Sequence, residues 1–162
     1  DLPCNIKVDF VINVNPDKSI VFYWLDKSSY IWQRGIGLKI KDTTNKELLH
    51  SLINSILSVF FVEAVWFWRG LWALDLNSTK IQNMKILNPK ELSIEQENTI
   101  IELFRKIKGR QIQSIDKEFN LDDRVKFDKY ILECYWLENI YEDIKEALIT
   151  LYKIRCWVKY SV

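Results

Sequence analysis

Residues His50–Pro89 read HSLINSILSVFFVEAVWFWRGLWALDLNSTKIQNMKILNP, and the organisation of the chain turns on them. From just before this stretch, apolar residues stand at Leu48, Leu49, Leu52, Ile53, Ile56, Leu57, Val59, Phe60, Phe61, Val62, Ala64 and Val65. A stripe that wide leaves little of a helix for water, so a long buried helix is predicted. Upstream, Thr44-Asn45-Lys46-Glu47 has the form of a capping box and sets the helix start. An aromatic-rich turn follows, then a short polar stretch ending at Asn88-Pro89. The run Leu52–Leu74 is also about the 20 residues that a bilayer requires. Asn54, Ser55, Ser58, Glu63 and Arg69 argue against a membrane span, because a Glu and an Arg each cost roughly 2–3 kcal/mol at mid-bilayer. No flanking basic cluster sets an orientation either, so no membrane partner is expected.

Outward from this helix, the front of the chain reads as strands. Residues Asn5–Val14 alternate polar and apolar side chains up to Phe10 and are rich in β-branched types. Asn15-Pro16-Asp17-Lys18 is a strong turn, Ser19–Leu25 returns as a second strand, and Asp26–Ser29 breaks it. Tyr30–Ile40 reads as a third extended stretch kinked at Gly35 and Gly37. Behind the central helix, Ala73–Leu76 reads as a short strand, Asn77–Lys80 as a cap opening one helical turn, and Ile86-Leu87 as extended because a proline follows. From Leu92 the pattern turns helical. Ser93–Gln96 is a second capping box, Ile100, Ile101, Phe104 and Ile107 form one face, and Gly109 stops that helix. A short helix is predicted at Ile115–Phe119, a helix capped by Asn120 carries Leu121, Val125, Ile131 and Leu132, and Asn139 with Glu142 opens the last one. The fold class is therefore α+β. A small strand-rich part, a hairpin plus a third strand, packs on a long buried helix and a C-terminal helical bundle. Residues 1–162 form one unit, with strands, central helix and turn over 1–90 and a helical subdomain over 91–162.

A chain of 162 residues with 48% hydrophobic side chains can bury a substantial core. The start at Asp1, without the basic-then-apolar layout of a signal peptide, predicts a piece of a longer chain whose missing part lies upstream. Cys4, Cys134 and Cys156 have no C-x-x-C spacing and only His50 as a nitrogen ligand, so a metal site is not expected. They read as reduced thiols of a cytoplasmic protein. The net charge of +1 announces no nucleic-acid binder by itself. Its distribution says more: residues 1–90 carry 11 Lys/Arg against 8 Asp/Glu, and residues 91–162 carry 12 against 14. Any phosphate-facing surface belongs in the first half.

Leu48-Leu49-His50-Ser51-Leu52-Ile53-Asn54-Ser55, then Glu63, then Arg69-Gly70-Leu71-Trp72-Ala73-Leu74-Asp75-Leu76, then Lys85-Ile86-Leu87-Asn88-Pro89 follow one another in the chain. This succession resembles the C-terminal target-recognition region of adenine-specific DNA methyltransferases of restriction-modification systems. There a helix with an L-L-N-S signature leads into a glycine-rich turn and a segment close to L-P-I-L-N-P. The likeness continues through Gln113–Lys153, where Asp123-Arg124, Phe127-Asp128 and Ile131-Leu132-Glu133 resemble the closing helices. It implies a domain that holds duplex DNA for an upstream catalytic domain of the same chain. That domain would bind S-adenosylmethionine, flip the adenine and methylate its exocyclic amine. No cofactor is expected in the present residues.

Three departures fall at positions where the resemblance calls for glycine: Trp66, Trp72 and Trp136. The chain has 7 Trp and only 4 Gly, the reverse of the ordinary balance. One reading is that a recoded stop codon, taken as tryptophan, is decoded as glycine in the source cell. The other is that these are genuine core or surface tryptophans.

No phosphate-cradling glycine loop, dinucleotide fingerprint or nucleophile elbow is present, and Asn88-Pro89 lacks the second proline and the aromatic residue of a base-flipping catalytic loop. Asp122-Asp123 and Glu142-Asp143 sit at helix starts, where the helix dipole accounts for them. His50 reads as a packing or capping group. What remains is a binding surface: Arg34, Lys39, Lys41, Arg69, Lys80 and Lys85 come from loops or element ends in the basic half, the usual sources of phosphate and base-edge contacts. Whether the chain belongs to an enzyme then rests on the upstream domain, since these residues supply position and sequence choice. The alternative is a helical protein-protein interaction module with an aromatic contact patch around Trp66–Trp72 and no nucleic-acid binding.

Overall fold

The structure, a computed structural model, describes residues 8–14, 16–29, 34–40, 45–67 and 78–160. It is α+β. Three antiparallel strands, β1 (Val8–Asn13), β2 (Phe22–Ser29) and β3 (Gly35–Leu38), form one sheet in the order β2-β1-β3. Phe10, Ile12, Phe22 and Ile36 turn into the core, as alternation along β1 requires. Asp9 is buried as well, because its carboxylate accepts from Lys46 Nζ at 2.6 Å and from the Ile40 amide at 3.0 Å. The second strand starts at Phe22 and runs through Asp26–Ser29, where the sequence predicted a break. The break survives as a slip in register: Phe10 pairs with Trp24, but Val8 pairs with Ser29. The connection before Phe22 is held from behind, since the Ile115 amide donates to Lys18 O at 3.0 Å and Arg155 Nη1 to Asp17 O at 2.6 Å.

The long apolar helix is two helices, α1 (Lys46–Ile53) and α2 (Ile56–Phe67), bent by 54°. Asn45 caps α1, accepting from the Glu47 and Leu48 amides; Thr44 lies outside the described residues. Behind them come α3 (Ser78–Gln82), α4 (Ile94–Lys108), α5 (Ile115–Glu118), α6 (Asp122–Cys134) and α7 (Tyr141–Tyr160). The Ser93–Gln96 capping box and the Gly109 cap of α4 form as predicted. Asn120 does not cap α6: its side chain donates back to Asp116 O, and Leu121 takes the cap position without a side-chain bond. Asn139 lies inside a 3-10 turn, Glu138–Ile140, ahead of α7. The strand predicted at Ala73–Leu76 falls outside the described residues.

At the bend, Asn54 and Ser55 leave orphan backbone groups in a dry interior, and α6 satisfies them. Asp128 Oδ1 accepts from the Ile56 amide at 2.8 Å, capping α2. Arg124 Nη2 donates to Asn54 O at 2.6 Å, closing α1, while its Nε bonds Asp128 Oδ2 at 2.6 Å. Asp128 is fully buried and Arg124 is 4% exposed. Ser58 Oγ takes the Leu52 carbonyl at 2.9 Å. Two apolar clusters meet at this point. One joins the sheet to α2, α5 and α7, and the other joins α1 to α4 and α6.

Among the described residues, no single helix is long and apolar enough to cross a membrane. Glu63, which argued against a span, is 2% exposed and receives Arg155 Nε at 2.6 Å, joining α2 to α7.

Removing one partner of a buried, hydrogen-bonded ion pair strands the other charge. Asp128→Ala should lower the unfolding free energy by about 3–5 kcal/mol. Lys129→Ala, which removes an exposed pair with Glu142 and a contact over the Tyr141 ring, should cost about 1 kcal/mol or less. Urea denaturation of the two variants beside the parent measures both.

Candidate functional site

The predicted cations divide into three groups. Arg34, at the entry to β3, and Lys39, just past its end, are exposed on the edge strand of the sheet. Lys85 is exposed in the extended segment after α3. Lys80 lies within α3, its side chain outside the described residues, as are Lys41 and Arg69 entirely. Arg34 and Lys39 therefore share one strand edge, while Ile81 and Met84 carry the segment leading to Lys85 into the core that also holds Ile36. The aromatic patch around Trp66–Trp72 lies outside the residues whose side chains are described.

A well-formed concavity among the described residues lies elsewhere. A cavity of about 410 Å³ opens between β2 and α4–α5, with Tyr23, Trp24, His50, Phe104, Lys108 and Arg110 in its lining. Lys108 Nζ stands 5.1 Å from the centre of the Trp24 ring. Arg110 is committed to structure: it grips Glu118 through two bonds of 2.9 Å and Asp123 through bonds of 2.7 and 2.9 Å. The Arg110 guanidinium, donating to it, holds the Asp123 carboxyl below its usual range. Glu142 is likewise lowered, by Lys129. One member of each acidic pair at a helix start, Asp123 and Glu142, is thus ion-paired with a neighbour.

His50 and Asn54 form the part that sequence reasoning did not resolve. They stand four residues apart on one face of α1 and both reach Phe22 of β2. The Phe22 amide donates to Asn54 Oδ1 at 2.9 Å, and Asn54 Nδ2 donates to Phe22 O at 3.0 Å and His50 O at 2.9 Å. His50 Nε2 lies 2.8 Å from Phe22 O, which fixes the proton on Nε2 because a carbonyl can only accept. The imidazole stacks on Phe10 at 5.5 Å and meets Trp24 and Phe104 edge-on at 5.7 and 5.0 Å. Burial is the main cause that holds its pKa down at about 4. A base that is 4% exposed and walled by aromatic rings is a packing group. The signal in the sequence is the pair His50 and Asn54 at i, i+4, a spacing that puts both on one helix face.

Among the described residues, no group of three or more His, Cys, Asp or Glu side chains is placed to hold a metal ion. Cys134 is buried and Cys156 partly so, both as free thiols. The described surface presents Arg34, Lys39 and Lys85 as exposed cations. No family model, no curated protein and no solved structure matches the chain.

His50 gives a pH dependence of known sign. Its folded pKa is depressed, so the unfolded state takes up the proton first. The stability associated with the neutral ring is complete above about pH 6.5 and is lost as pH falls toward 4. Between pH 7.5 and 5.0 the loss from this group should be about 2 kcal/mol. The difference between parent and His50→Gln denaturation curves across that range isolates it: the parent should lose more stability on acidification than the variant.

Proposed function

We propose that the chain is the DNA target-recognition part of an adenine-specific DNA methyltransferase of a restriction-modification system. In this role it grips duplex DNA while an upstream S-adenosylmethionine-dependent domain flips and methylates an adenine. The observation that carries this is the order of signatures in one stretch, Leu48–Ser55, Arg69–Leu76 and Lys85–Pro89, with Asp123-Arg124 and Phe127-Asp128 following at a distance. The structural pattern supports it in two ways. The polar residues of the first and last signatures, Asn54, Arg124 and Asp128, meet in one buried cluster, so they serve a shared scaffold. The described residues on either side of the segment that contains Arg69, Val62 on α2 and Ile81 on α3, belong to one core. A recognition element needs that arrangement, because a cation on a loop specifies position only when its scaffold is rigid.

The charge distribution supports it too. Arg34, Lys39 and Lys85 are exposed and lie in the basic half of the chain, with Lys41, Arg69 and Lys80 beside them in sequence. Phosphate contacts by such residues supply affinity and steering, and bidentate Arg or Asn contacts to base edges supply sequence choice.

Fluorescence anisotropy with a labelled duplex, repeated at increasing salt, tests this. Binding should weaken steeply, and the triple variant R34A/K39A/K85A should flatten the log–log slope by roughly 3 while leaving the circular-dichroism spectrum unchanged. Absence of binding even at low salt, or binding indifferent to salt, would reject the DNA role and favour the protein-interaction module.

A further inference from the structure

Trp136 is the only residue other than glycine with positive φ among the described residues, at 55°. Its position explains the angle. Helix α6 ends at Cys134 with Tyr135 as its cap, so Trp136 is the first residue beyond. The Trp136 amide donates to Glu133 O at 3.0 Å and the Leu137 amide to Leu132 O at 2.8 Å. This pair of crossed bonds is the Schellman closure of a helix, which requires left-handed backbone at the residue Trp136 occupies. Leu137 then returns to the apolar core that buries Leu132. The closure is therefore fixed from both sides, by two hydrogen bonds and by a half-buried leucine.

Nothing rewards an indole there. The Trp136 side chain is 81% exposed. A β-carbon in this conformation is strained, and a bulky side chain is the rarest occupant of a position that favours glycine. Composition points the same way: glycine at its usual share of about 7% would number roughly 11 in this chain. Four are present, with 7 Trp. We propose that residue 136 of the native protein is glycine, encoded by a recoded stop codon that is conventionally taken as tryptophan. Other tryptophan positions bearing the same triplet then change with it, Trp66 and Trp72 foremost.

Two measurements test this. The gene sequence at codon 136, read together with the mass of the corresponding peptide from protein isolated out of its own cells, should show a stop-type triplet and a residue lighter by the whole indole side chain. A UGG triplet or a tryptophan mass overturns the proposal. Independently, in recombinant protein, W136G should raise the thermal midpoint by about 2–4 °C, whereas W136A, which removes the indole but keeps a β-carbon, should not. A W136G midpoint at or below that of the parent would overturn the conformational basis.

Discussion

The contact between Arg124, Asp128 and the break at Asn54-Ser55 is the constraint on which the rest of the structure depends. A helix interrupted in a dry interior exposes carbonyls on one side and amides on the other, and each orphan carries a desolvation cost. Ser55 is the natural local cap, yet its Oγ finds no partner. The carboxylate of Asp128 takes the Ile56 amide instead, and the guanidinium of Arg124 takes the Asn54 carbonyl. One ion pair thereby holds the bend, and the bend lets α1 face α4 and α6 while α2 faces α7. Burial pushes the Asp128 carboxyl up, and the adjacent guanidinium opposes it.

The same logic recurs at three other buried polar residues. Asn54 saturates both backbone groups of Phe22, which fastens β2 to α1 and so orients the sheet. Glu63 is matched by Arg155, which also reaches the loop before β2. Asp9 on β1 is matched by Lys46 at the start of α1. Each pair crosses between elements distant in the chain. Buried polar atoms without partners are costly, so these matches specify one arrangement of sheet and helices where apolar packing alone would tolerate several.

For the proposed role, this scaffold separates support from contact. The buried residues of the signatures hold elements in place, and the exposed cations Arg34, Lys39 and Lys85 face solvent. Of the six residues singled out by charge and loop position, these three are described with their side chains, and two of them share the edge of one strand. Charge runs and loop positions are legible in a sequence because each is a local property. Which cations converge on one face is not, because convergence is set by how elements pack.

Periodicity, capping boxes and turn residues sufficed to determine the class of the fold, the three strands, the capped start of α4 and its stop at Gly109. All of these follow from interactions within a few residues of one another. Trp136 drew notice through the resemblance and the balance of Trp to Gly, and the structure added the left-handed backbone at that position. Only the tertiary structure decided that the long apolar helix bends, that Asp26–Ser29 stays in the sheet with shifted register, and that His50 is a neutral packing group. It also decided where Asn54, Glu63, Arg124 and Asp128 find their partners. The physical reason is common to all of these: a buried polar group is satisfied by whatever donor or acceptor folding brings beside it, and for these residues that partner stands tens of positions away along the chain.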